Sequence, residues 1–124
     1  MANVLVVDDS PDACDVLVKV LKHAGHRAVA AHSGGAALAK LKAAANDLPD
    51  VIILDIMMPG LDGENVLRRV RNDPKTAGLK VIAFSAIDDP DYIHRLKEEG
   101  VDDYWVKGKV DYSEVGERLT RYLA

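Results

Sequence analysis

Apolar residues along this chain fall into two rhythms that alternate from end to end. Short runs rich in β-branched residues occur at Asn3–Val7, Arg27–Ala31, Val51–Leu54, Leu79–Phe84 and Asp103–Val106. They predict short strands, and the most continuous of them, Val51–Leu54, predicts one buried on both faces, as in a parallel sheet. Between them, apolar residues recur at helical spacing. The first helix is expected from about Pro11 to Ala24, with Ala13, Val16, Leu17, Val20, Leu21 and Ala24 inward. The second carries Ala37, Leu38, Leu41 and Ala45, and the third, about Gly63 to Asn72, turns Val66, Leu67 and Val70 inward. The fourth ends near Glu99, and the last spans Asp111 to Leu123 with Val115, Leu119, Tyr122 and Leu123 inward.

The punctuation agrees with this division. Ser10-Pro11 and Asp89-Pro90 each place a capping side chain before a proline at the first helical position. Ser33 can cap the second helix, Gly25 stops the first, and Asp73-Pro74 breaks the third. Gly63 follows the turn Pro59–Asp62 and is expected to take a backbone conformation that other residues resist. Five strands alternating with five helices imply right-handed crossovers. The fold class is therefore α/β, a doubly wound (βα)5 unit with a parallel five-stranded sheet covered on both faces. No linker, repeat or change of composition divides the chain, so residues 1–124 are expected to form one domain.

Composition narrows the function. At 124 residues and 48% apolar, the chain is long enough for a real core and too apolar for disorder. A formal charge of −4 argues against a nucleic-acid-binding face. No apolar run approaches the ~20 residues of a membrane span, and the start has no basic segment of a signal peptide. A soluble cytoplasmic protein is expected, with no nucleic acid or membrane partner. Cys14 has no second cysteine to pair with and reads as a small buried hydrophobe. The four histidines form no ligand constellation and read as surface residues. Trp105 fits either packing against a helix or an exposed partner anchor.

The candidate chemistry lies where strands stop. The first ends at Asp8-Asp9, the third at Asp55, the fourth at Ser85 and the fifth at Lys107. Parallel strands bring these ends to one edge, where α/β sheets bind ligands. Taken singly, each has a plain structural reading as a cap, a turn residue or a solvated lysine. Taken together, the acids repel, and one is pushed towards protonation unless a cation compensates. Carboxylates and carbonyls suit Mg²⁺, whereas zinc would ask for cysteine or histidine. A carboxylate, a hydroxyl and an ammonium around a hard cation suit phosphoryl transfer, with Asp55 as nucleophile and Lys107 and Ser85 holding phosphoryl oxygens.

Four segments in order, Val6-Val7-Asp8-Asp9, Leu54-Asp55-Ile56-Met57-Met58-Pro59-Gly60, Phe84-Ser85-Ala86 and Tyr104-Trp105-Val106-Lys107, carry a resemblance over essentially the whole chain. It resembles a receiver domain of a two-component response regulator, most like the single-domain chemotaxis regulators. The resemblance implies the flavodoxin-like strand order 2-1-3-4-5. It implies Asp55 as phosphoacceptor, Asp9 as a direct Mg²⁺ ligand, Asp8 as a ligand mainly through water, and the Met57 carbonyl as a further ligand. It implies Ser85 as a switch hydroxyl, Lys107 as the lysine on the phosphoryl oxygen, and Tyr104 as the aromatic that turns inward when Ser85 moves. Met57 and Ile87, two residues past Asp55 and Ser85, would flank the phosphoryl group, where apolar side chains impede an attacking water.

The implied function is phosphorelay signalling rather than turnover as an enzyme. A histidine kinase or histidine phosphotransfer protein donates to Asp55, and the face of helix four, strand five and helix five then engages a target protein or a second copy. No DNA-binding segment is expected after Ala124. One departure stands out: Gly108 follows Lys107 where the family has a proline with a cis bond, which loosens that loop. It leaves open a degenerate receiver that binds proteins independently of phosphorylation. A flavodoxin-like cofactor binder fits less well, because Asp8-Asp9 would repel a phosphate. An aspartate-nucleophile phosphatase would need a second acid where Met57 stands.

Overall fold

The strand-like runs form β1 (Asn3–Val7), β2 (Arg27–Ala31), β3 (Val51–Asp55), β4 (Lys80–Ser85) and β5 (Asp103–Val106). The helices are α1 (Pro11–His23), α2 (Gly34–Ala43), α3 (Gly63–Asn72), α4 (Pro90–Glu99) and α5 (Val115–Leu119). The structure is a computed structural model that describes residues 2–44 and 46–123. Ala45, expected inward on the second helix, lies outside the described residues, as do Met1 and Ala124.

All strand pairs are parallel, in the order β2-β1-β3-β4-β5. The register sets Val7 beside Leu54, Asp55 beside Phe84 and Ser85 beside Val106. The ends of β1, β3, β4 and β5 therefore reach one edge together. Side-chain alternation divides the core in two. Leu5, Ile52, Leu54 and Val81 pack under α2, α3 and α4 through Leu41, Leu67 and Leu96. Val6, Ile53, Phe84 and Trp105 face α1 and α5 through Leu17, Leu21 and Leu119. Every residue of β3 is buried, so the strand that ends on Asp55 is fixed from both sides. Among the described residues no helix is long and apolar enough to cross a membrane.

The structure corrects four details. Val16 and Ala24, both expected inward, are exposed, Val16 by 43%. The buried stripe of α1 is Cys14, Leu17 and Leu21, and Val16 lies roughly 140° from its centre at 100° per residue. Cys14 counts as a core residue and moves the face away from Val16. The last helix is not continuous: Val115–Leu119 is α-helical between 3₁₀ turns at Tyr112–Glu114 and Thr120–Tyr122. The Asp111 carboxylate accepts from the Ser113 N–H, which favours a tight turn, and the Thr120 hydroxyl donates to the Glu117 carbonyl. Gly116 is there for proximity, since a Cβ on it would stand 2.6 Å from the Ala24 Cβ.

Third, β4 is shifted by one residue and includes Ser85. Fourth, Gly63 does not have a positive φ; that conformation falls on Gly60, at +76°. Gly63 is required by crowding instead. A Cβ there would lie 2.5 Å from both the Asp55 carbonyl oxygen and the Ile56 Cα. Its N–H donates to the Ile56 carbonyl at 3.0 Å, so α3 starts against the end of β3.

Trp105 is a packing residue, 1% exposed and edge-on to Phe84 at 6.4 Å. Its Nε1 donates to the Asp103 carboxylate at 3.0 Å, and the Tyr122 hydroxyl donates to the same oxygen at 2.5 Å. Burial pushes the Asp103 carboxyl up, but donors from Tyr122, Tyr104 and Trp105 outweigh it and hold it below the usual range.

Two stability predictions follow from these contacts. A carboxyl lowered in the folded state contributes stability above its unfolded pKa of about 3.9 and loses it as pH falls through the lower folded value. Asp103→Asn should therefore destabilise by about 1 kcal/mol near neutral pH, and chemical denaturation near pH 3 should show the gap narrowing. A gap independent of pH would assign the loss to packing. Gly63→Ala should cost about 1–3 kcal/mol by overpacking, read as a lowered melting temperature; an unchanged one would show that the β3–α3 junction yields freely.

Candidate functional site

Burial at the strand ends creates the problem this site must solve. Asp55 is 4% exposed and Asp8 is 2% exposed, and neither can relieve its charge by reaching water. Asp9, next to them, is exposed. One carboxylate oxygen from each of Asp8, Asp9 and Asp55 lies within 4.8 Å of the others. Local bonds fix the orientation. The Ser10 N–H donates to Asp8 Oδ1 at 2.9 Å, and the Met57 N–H donates to Asp55 Oδ1 at 3.2 Å.

Lys107 crosses from β5 to the acids. Its Nζ lies 2.8 Å from Asp8 Oδ2 and 3.6 Å from Asp55 Oδ2. Gly108 takes a φ of +89°, and no cis peptide occurs among the described residues. The position of Lys107 is held upstream instead. Its own N–H donates to the Ser85 carbonyl at 2.8 Å, extending the β4–β5 pairing by one bond. Desolvation works against the Lys107 charge, but the hydrogen bond to Asp8 and both carboxylates outweigh it and raise its pKa.

Burial pushes Asp55 up to about 6, and the Asp8 charge adds to it. Lys107 and the Met57 N–H oppose this without cancelling it, and Asp9 raises it further. Three carboxylates against one ammonium leave a formal charge of −2. The donor set is all oxygen and anionic, which fits a hard divalent cation such as Mg²⁺. The Met57 side chain is 63% exposed at the rim.

Ser85 is fully buried at the end of β4, and its Oγ accepts from the Ile87 N–H at 3.2 Å. Tyr104 lies inward, 8% exposed, and its hydroxyl donates to the Ile87 carbonyl at 2.8 Å. Ile87 thus bridges the two residues expected to move together. Sequence reasoning placed Ile87 beside the site but missed this bridge, because main-chain bonds of a loop leave no side-chain signal. It also missed that the Cys14 thiol donates to the Asp8 carbonyl at 3.3 Å. Burial, then the Asp8 charge, pushes that thiol up to about 11, so it stays protonated beneath the acids. The six-residue spacing from Asp8 into the first turn of α1 is the one signal that pointed there.

Similarity to known proteins agrees with this arrangement. Residues 4–119 match the family model of the response regulator receiver domain. Protein PilH of Pseudomonas aeruginosa is 36% identical over 107 residues, covering 86% of each chain. Response regulator PleD of Caulobacter vibrioides is 40% identical over 107 residues, but the chain spans only 23% of its length. Among solved structures, chemotaxis protein CheY4 of Vibrio cholerae superposes with a TM-score of 0.86 at 29% identity, covering 98% of each chain. The chain belongs to the receiver domains of two-component response regulators.

Proposed function

We propose that residues 1–124 act as one phosphoacceptor domain in the cytoplasm, with Asp55 as the acceptor. The observation that carries this is the convergence of Asp8, Asp9, Asp55 and Lys107 from separate strand ends on one small volume. A phosphohistidine on a histidine kinase or phosphotransfer protein is the donor. A carboxylate oxygen of Asp55 attacks phosphorus, the P–N bond breaks, and the electron pair leaves on the imidazole nitrogen. Asp8, Asp9, Asp55 and the Met57 carbonyl would hold Mg²⁺. When bound, the cation supplies charge neutralisation for the phosphoryl oxygens.

Lys107 stabilises a phosphoryl oxygen and counters the acids in the resting state. Ser85 supplies the hydroxyl that meets the phosphoryl group. Its movement shifts Ile87 and Tyr104, and the face of α4, β5 and α5 changes its affinity for a target protein or a second copy. The domain assists its own phosphorylation and dephosphorylation, but its output is a binding equilibrium.

Intact mass after incubation with a small phosphodonor and Mg²⁺ tests the acceptor. The native protein should gain one phosphoryl group, and Asp55→Asn should gain none. Lys107→Ala should slow uptake by about a hundredfold, the cost of deleting a preorganised donor to a developing charge. A folded native protein that takes up no phosphoryl group would favour phosphorylation-independent binding. The apolar rim gives a second expectation: Met57→Asn should speed phosphate loss several-fold by admitting and orienting water. An unchanged rate would remove Met57 from the account of phosphoryl lifetime.

A further inference from the structure

A continuous chain of contacts leads from the first turn of α3 to Ser85. Glu64 is its outer end. Glu64 Oε2 accepts from the Tyr92 hydroxyl at 3.2 Å, and Oε1 accepts from Arg95 Nη1 at 2.8 Å. The Arg95 guanidinium lies over the Tyr92 ring, 4.9 Å from its centroid. Arg95 also reaches Glu99 Oε1 at 3.1 Å, and Glu99 Oε2 is buried with no hydrogen-bond partner among the described residues. The Tyr92 ring meets Tyr104 edge to face, with centroids 6.4 Å apart and planes at 84°. Tyr104 then bonds the Ile87 carbonyl, and the Ile87 N–H bonds Ser85.

An exposed ion pair alone holds little. This one has leverage because α4 is otherwise lightly anchored: Leu96 is its only fully buried side chain. The residues that join α4 to β4 include Ile87, so the position of α4 governs the bridge between Ser85 and Tyr104. Burial pushes the Tyr92 hydroxyl up to about 12, with Glu64 adding to it, so Tyr92 remains a donor at neutral pH.

We propose that Glu64 is a positioning residue that latches α4 to α3 through Tyr92 and Arg95, holding Tyr104 inward and Ile87 on Ser85. The latch sets the resting balance of the switch. Its effect on the phosphoryl site rests on the Asp55 reading given above; its effect on Tyr104 does not. In the proposed switch, inward Tyr104 goes with Ser85 on the phosphoryl group, so releasing the latch weakens phosphoryl binding by linkage.

The test combines NMR of the full chain with titration of beryllofluoride, a phosphoryl mimic, in the presence of Mg²⁺. In Glu64→Ala without ligand, the Ile87 amide and Tyr104 ring signals should shift, and beryllofluoride affinity should fall about fivefold or more. Tyr92→Phe keeps the ring edge and should show the same change at smaller size. The double variant should resemble Glu64→Ala alone rather than the sum of both. Glu98→Ala, which loses only a pair to His94 on the surface of the same helix, should leave signals and affinity at native values. A lower melting temperature with native signals and affinity would overturn the latch. Failure of the native protein to bind beryllofluoride would overturn the Asp55 reading, and the Ile87 and Tyr104 signals would then decide the latch alone.

Discussion

The rest of the structure is arranged around one electrostatic conflict: two buried carboxylates and a third at the rim share a space that supplies one ammonium. The sheet creates the conflict by ending β1 and β3 side by side on acids. It moderates it by bringing Lys107 across from β5. The compensation is deliberately incomplete. Asp55 still lies well above an ordinary aspartate, so additional positive charge would further favour its ionised form. A fully neutralised cluster would be a poorer site for a cation.

That balance depends on where Lys107 stands, and its position survives a change that removes the family's usual constraint. Gly108 permits a left-handed backbone and imposes nothing. The constraint passes to the β4–β5 ladder, whose last bond runs from the Lys107 N–H to the Ser85 carbonyl. The same bond ties the lysine to Ser85 itself. A displacement of the end of β4 therefore acts on Lys107 as well as on Ser85.

The sheet, its helices and the set of strand-end residues were legible because each depends on local pattern and parallel connectivity. Asp8, Asp9, Asp55 and Lys107 needed nothing more than strands ending on the same edge. What was not legible depends on how elements meet. The exposure of Val16 follows from which α1 stripe faces the sheet, and Leu17 and Leu21 fit either of two adjacent stripes. The broken last helix follows from side-chain bonds at Asp111 and Thr120 that compete with the helical pattern. Gly63 was singled out for the right position and the wrong reason, since its crowding against Asp55 arises only when α3 is docked.

Strand β5 carries two aromatic residues in unlike surroundings. Its two aromatic residues point to opposite faces. Trp105 is clamped between Phe84, the Asp103 carboxylate and Arg118, whose guanidinium lies 6.0 Å from the ring centroid. Tyr104 faces α4 within the opposite core cluster, where its polar and aromatic contacts are one hydrogen bond and the edge of Tyr92. Shifting Trp105 disrupts a packed core and leaves a buried donor unpaired; shifting Tyr104 also costs packing, and it gives up one hydroxyl bond to a loop carbonyl that water can replace. In the proposed switch, movement would therefore fall on the α4 side of β5, where Tyr104 lies, rather than on the side that holds Trp105.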